Sequence, residues 1–148
     1  KTAEDALVLA SIVEKETGIA AERPRIAAVF LNRLKANMKL QSDPTVIYGL
    51  SRGEGALDRA LARADLEADQ AFNTYTRGGL PPTPIANPGR AALEAVLNPA
   101  ASDELYFVAD GLGGHAFAKT LEEHNRNVAR WRKIQNERGS GQSPPPSR

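Results

Sequence analysis

Leu105-Tyr106-Phe107-Val108, Asp110-Gly111-Leu112-Gly113-Gly114 and His115-Ala116-Phe117-Ala118 form the stretch that decides the fold. Aromatic and apolar residues fill both flanks and a glycine-rich turn separates them, the pattern of a β-hairpin. Downstream, Thr120 and Glu123 have capping-box spacing, and a helix is predicted from there to about Glu137, with Leu121, Val128 and Trp131 as its buried stripe. Residues 138–148, Ser/Pro/Gly-rich from Gly139, read as a disordered tail. Upstream, Asn87-Pro88-Gly89 reads as a cap with proline in first position, opening a helix that runs through Leu97 and stops at Asn98-Pro99.

Further back, Pro81, Pro82, Pro84 and Pro88 exclude regular helix from Phe72 to Pro88, which must be a loop. Residues 51–64 mix Gly, Arg and Ala and declare no element. Gln41-Ser42-Asp43-Pro44 reads as a turn feeding a short helix from Pro44 to Tyr48, closed by Gly49. Pro24 opens an amphipathic helix carrying Ile26, Val29, Phe30 and Leu34, ending near Asn37. The first helix runs from Thr2 to about Thr17, with Glu4 and Asp5 in its first turn and Gly18 as its stop. The fold class is therefore α+β, mainly helical with one hairpin, in one domain over residues 1–137.

The bulk numbers narrow the function. A chain of 148 residues, 41 % apolar and 25 % charged, is long enough for a hydrophobic core. A net charge of +1 argues against a nucleic-acid module that binds by charge alone. The basic residues Arg126, Arg130, Arg132 and Lys133 read as a solvated helix face. With no cysteine there is neither disulfide nor thiolate chemistry. No apolar run approaches the roughly 18 residues of a membrane span. Because the chain opens at Lys1 without an initiator Met, it is read as an excised domain, from which a signal or anchor could have been cut away.

Glu14 and Glu16 are the main chemical candidates, at the end of the most apolar helix. Glu14 follows Leu7, Ala10 and Ser11 on the helical wheel, and Glu16 follows Leu9, Ile12 and Val13. Either can be drawn toward the interior, where desolvation raises a carboxyl pKa and equips it as a general acid. The competing reading is a solvated Glu-Lys-Glu helix end, which the pattern alone favours, and periodicity does not choose between the two glutamates. His115 and His124 lack the spacing of a metal site and default to structural roles. Gly111 to Gly114 lies between strands, so it is no phosphate loop, and no Gly-x-Ser-x-Gly elbow is present. Asn73, Thr74, Tyr75 and Thr76 offer amide, hydroxyl and aromatic groups suited to sugars, in a loop stiffened by Pro81-Pro82. The competing reading there is a long structural connection.

Ser11-Ile12-Val13-Glu14-Lys15-Glu16-Thr17, Val29-Phe30-Leu31-Asn32-Arg33-Leu34 and Leu40-Gln41-Ser42-Asp43-Pro44-Thr45-Val46-Ile47-Tyr48-Gly49 closely resemble the YceG-like endolytic murein transglycosylases. Asn73-Thr74-Tyr75, Gly79-Leu80-Pro81-Pro82, Ile85, Asn87-Pro88-Gly89, Tyr106-Phe107-Val108 and Gly114-His115-Ala116-Phe117 extend the likeness in order from about residue 7 to 128; Pro82-Thr83-Pro84 departs from it. The resemblance implies a lysozyme-like catalytic domain without metal or organic cofactor. It also implies a longer protein anchored in the inner membrane, with a LysM-like domain ahead of this one. The domain would work as a monomer on the periplasmic side, its partners being peptidoglycan glycan strands and cell-wall synthases. It places the catalytic glutamate at Glu14, serving as both acid and base in forming 1,6-anhydro-muramic ends. Glu16 and Asp43 are candidates for a second acid and keep ordinary hydrolysis open. Gln41, Asp43, Thr45 and Tyr48, then Asn73, Tyr75, His115 and Phe117, are expected to shape the substrate cleft. The alternatives are a hydrolytic muramidase and a non-catalytic glycan-binding or synthase-scaffolding module.

Overall fold

Thr2 starts the first helix, α1 (Ala3–Glu16), by capping: its hydroxyl accepts from the Asp5 amide at 3.1 Å, and the Asp5 carboxylate accepts from the Thr2 amide at 3.3 Å. The structure, a computed structural model, describes residues 2–138. Val8, Leu9, Ala10, Ser11, Ile12 and Val13 bury the middle of α1. A 3₁₀ turn (Ala20–Glu22) leads into α2 (Arg23–Lys35), with Pro24 in its first turn, where the missing amide costs nothing. Asn37 takes the left-handed conformation (φ 58°) just beyond its end.

The third helix, α3 (Asp43–Leu50), is longer than expected and contains Gly49 rather than stopping at it. Gly49 is admitted because Gln70 packs where a Cβ would stand, 2.2 Å away. The unassigned stretch yields a short α4 (Arg63–Glu67), started by the Asp65 carboxylate on the Ala62 amide at 2.7 Å. The Pro-rich segment holds no helix, as the prolines require. Next comes α5 (Arg90–Leu97), whose cap is Gly89, so Pro88 precedes the helix instead of opening it; Asn98 ends it as expected.

Strands β1 (Tyr106–Ala109) and β2 (His115–Ala118) pair antiparallel, with Phe107 opposite Phe117 and Ala109 opposite His115. The last helix is α6 (Leu121–Glu137), capped by the Thr120 hydroxyl on the Glu123 amide at 3.2 Å. Its buried residues are His124 and Trp131, whereas Leu121 is exposed. Leu121 is the first residue of the helix. Arg138, placed with the tail in the sequence reading, is the C-terminal cap of α6; the rest of that tail lies outside the described residues.

Helices α1, α2 and α5 pack around one core containing Ile12, Val29, Phe30, Val96 and Phe107. Side chains alternate across the hairpin. Tyr106 turns toward α6 and stacks on His124 at 4.9 Å, while Phe107 meets Phe30 of α2 edge-on at 5.7 Å. Among the described residues the architecture is thus α+β, with six α-helices and a two-stranded sheet. No helix there is long and apolar enough to cross a membrane.

Candidate active-site cleft

A cleft of about 610 Å³ opens between the C-terminal end of α1, the turn into α3 and the hairpin face that carries Phe107, Ala109 and His115. Gln41, Asp43, Tyr75, His115 and Glu16 all line it; Glu14 does not. The difference comes from the helix. Leu9, Ile12 and Val13, the residues behind Glu16, are buried to within 2 % of fully, so that face is driven into the core. Ala10 and Ser11, behind Glu14, are just as buried and only Leu7 is exposed, so what separates the two glutamates is the side on which each leaves the helix. Glu14 turns instead toward α5, where its carboxylate accepts from the Gly89 amide at 2.8 Å and supports the helix start.

Glu16 has the environment of an acid. Burial pushes its carboxyl up from the ordinary 4.5 to about 7; the Ser42 hydroxyl, donating to it at 2.7 Å, pulls the other way, and the charge of Asp43 adds to the rise. At neutral pH the group therefore exchanges its proton readily.

The loop from Phe72 onward builds the frame around this carboxyl. Asn73 is fully buried and donates to the carbonyls of Leu66 (3.0 Å) and Ala68 (2.6 Å), tying the loop to α4. Thr74 accepts from the Ser42 amide (2.9 Å) and shares a hydrogen bond with Thr45 (2.9 Å), and its carbonyl accepts from the Gln41 amide at 3.2 Å. These bonds hold Gln41 in the left-handed region (φ 53°), which costs a side-chain-bearing residue about 1 kcal/mol. The Tyr75 hydroxyl donates to Asp43. Ser11 anchors the Pro-rich segment from below, accepting from the Ile85 amide at 3.0 Å.

The expected cleft residues thus divide. Gln41, Asp43, Tyr75 and His115 come together at the cleft. Thr45 and Asn73 are fully buried and serve the frame, so no substrate reaches them in this structure. Tyr48 packs on Phe72 at 5.0 Å, away from the cleft wall. Phe117 is buried, with the Arg25 guanidinium 4.1 Å above its ring, so that face is not open to a sugar.

Sequence reasoning passed over three contributors. Ser42 lay in a turn assigned no role. Glu22 fixes His115, accepting from its amide and pairing with its Nδ1, both at 2.8 Å. Gly114 permits that approach, since a Cβ there would stand 2.7 Å from the Glu22 carboxylate. Arg33 is the third, only 7 % exposed yet lining the cleft. It falls three residues after Phe30 and seven after Ile26, on the buried face of α2, and that spacing was the available signal. Its Nε donates to the Leu105 carbonyl and its Nη1 to the Lys39 carbonyl, each at 2.7 Å, and its guanidinium lies 5.1 Å from the centre of the Tyr106 ring. Burial draws its pKa down, but an arginine keeps its charge at any physiological pH. No group of His, Asp and Glu among the described residues is arranged to hold a metal ion.

Fold and cleft together define an α+β domain that carries a desolvated, readily protonated carboxyl at an open groove. The chain belongs to the YceG-like family, which its residues 1–130 match. It is 46 % identical over 132 residues to an endolytic murein transglycosylase of Bacillus subtilis, covering 89 % of this chain and 36 % of that protein. A second protein of that name, from Streptococcus pneumoniae, is 39 % identical over 134 residues, covering 86 % of this chain and 24 % of its own length. A crystal structure of a YceG-like protein from Listeria monocytogenes aligns with a TM-score of 0.76 at 47 % identity, over 83 % of this chain and 39 % of that one. The chain therefore spans about a quarter to two-fifths of the relatives it matches.

Proposed function

We propose that this domain is the catalytic part of an endolytic peptidoglycan lytic transglycosylase, a lyase, in which Glu16 acts as both acid and base. The observation that carries the reading is the Glu16 carboxyl, in the cleft, hydrogen-bonded by Ser42 and raised to about 7. The relatives named endolytic murein transglycosylases supply the substrate class. Glu16 takes the role that the resemblance gave to Glu14, because Glu16 lines the cleft and Glu14 faces α5. The lysozyme-like kinship, a membrane-anchored parent protein on the periplasmic side and cell-wall synthases as partners belong to the same reading.

Protonated Glu16 donates to the glycosidic oxygen as the bond from muramic C1 breaks, releasing the N-acetylglucosamine 4-hydroxyl. The substrate's 2-acetamido group stabilises the electron-poor C1. The Glu16 carboxylate then removes the proton of the muramic C6 hydroxyl, whose oxygen closes on C1 to give the 1,6-anhydro ring. Glu16 ends protonated, as it began, and no water is consumed.

The purified chain is incubated with sacculi and the released fragments are weighed by mass spectrometry. The expected fragments carry 1,6-anhydro ends, lighter by one water than hydrolytic ones, and disappear with Glu16→Gln but persist with Glu14→Gln. Asp43 in the same cleft gives the hydrolytic alternative its one structural support. Reducing ends, lost equally with Asp43→Asn, would establish that alternative. A glycan-binding module would show no released fragments and unchanged binding in Glu16→Gln.

A further inference from the structure

Among the residues lining the cleft, Lys15, Arg33, Arg59 and Arg138 are cationic and only Glu16 and Asp43 acidic. Arg59 is paired with Asp65, which leaves three cations facing two acids, one of them largely protonated below pH 7. Neutral sugar rings account for no such excess.

Within this set Arg33 differs in kind. Its guanidinium is immobilised by two main-chain carbonyls and by the Tyr106 ring, so it loses little freedom on meeting a ligand. With Nε and Nη1 engaged, Nη2 has no hydrogen-bond partner among the described residues. A fixed, desolvated guanidinium edge at a groove is a carboxylate receptor.

We propose that the cleft recognises a carboxylate on its glycan substrate, with Arg33 Nη2 as the fixed donor. This rests on peptidoglycan as the substrate. Such strands offer that chemistry from two sources, the free carboxylates of the peptide stem and the lactyl carboxylate of muramic residues whose stem has been removed.

The test measures binding of fluorescently labelled strands to the Glu16→Gln variant by anisotropy. Native strands are compared with strands whose carboxylates have been converted to neutral amides and with strands stripped of stems by an amidase. A charge-assisted hydrogen bond predicts roughly tenfold weaker binding after amidation. Stripped strands that bind like native ones assign the lactyl carboxylate, and weak binding of stripped strands assigns the stem. Equal affinity for native and amidated strands overturns the proposal.

In the Arg33→Gln background the tenfold difference should vanish. If both strands weaken together and their ratio stays at ten, Arg33 is only structural and the assignment fails. Arg33→Lys, which keeps charge but not the planar fork, should shrink the ratio and serves if Arg33→Gln does not fold. Carboxylate-dependent binding without 1,6-anhydro products would remove the proposed reaction and keep this inference; anhydro products with carboxylate-independent binding would do the reverse.

Discussion

Glu14 and Glu16 stand two residues apart on the same helix, and the roughly 200° between them on the helical wheel gives them different chemistries. Glu16 rides on Leu9, Ile12 and Val13, enters the cleft and holds its proton to about pH 7. Glu14, leaving the helix on another side behind Ala10 and Ser11, supports the start of α5 through the Gly89 amide. Residue type is the same at both positions. What differs is the surface into which the helix turns each one, so a carboxyl acquires a raised pKa through its neighbours.

That contrast is open to attack at several strengths. The largest expected effect is on turnover: Glu16→Gln should lower the rate of glycan release by about a thousandfold or more, while Glu14→Gln stays within a few-fold. Comparable losses from both variants in a sacculus-release assay would abolish the distinction.

Stability should move the opposite way. The folded pKa of Glu16 lies above its unfolded value of 4.5, so the folded state holds more protons between about pH 4.5 and 7, and stability falls as pH rises through that window. Replacing the carboxyl by an amide should stabilise the protein by up to about 3 kcal/mol above pH 7 and have little effect below pH 4.5. Thermal melts of both proteins across pH 4 to 8.5 measure this, and parallel melting curves would contradict a desolvated Glu16.

The frame around Glu16 comes next. Asn73→Ala removes the side-chain donor to the carbonyls of Leu66 and Ala68 and should cost about 2 kcal/mol by urea unfolding. A cost near zero would mean that the loop is held otherwise.

The pH profile offers a finer test. Activity should decline on an alkaline limb near pH 7, where Glu16 loses its proton. Asp43→Asn removes a charge that raises the pKa, so it should shift the limb toward acid; Ser42→Ala removes a hydrogen bond that lowers it, so it should shift the limb toward alkali. Shifts in the same direction would be incompatible with this electrostatic account. The smallest effect is expected at Gln41, where Gly tolerates φ 53° and should add about 0.5 to 1 kcal/mol of stability in the same melts.

Much of the fold was legible because its signals are local. The hairpin, the Thr120 cap, the Asn98 stop and the exclusion of helix by four prolines each depend on a few adjacent residues. The errors occurred where a distant segment decides. Gly49 lies within α3, where a side chain would meet Gln70, and Asn73, chemically suited to a sugar, is occupied by carbonyls of the α4 region. Phe117 was legible as a strand aromatic, but nothing near it in sequence announces that Arg25 covers its ring.

By itself the sequence determined the helical periodicities, the turns and a pair of glutamates at the end of an apolar helix. It also carried the motifs that place the chain in its family. Tertiary structure alone decided which glutamate meets the cleft, that Ser42 and Asp43 act on it, and that Arg33 reaches the same groove from α2. The reason is physical: capping and turn geometry are settled within a few residues, whereas desolvation and charge coupling depend on groups the chain brings together from far apart.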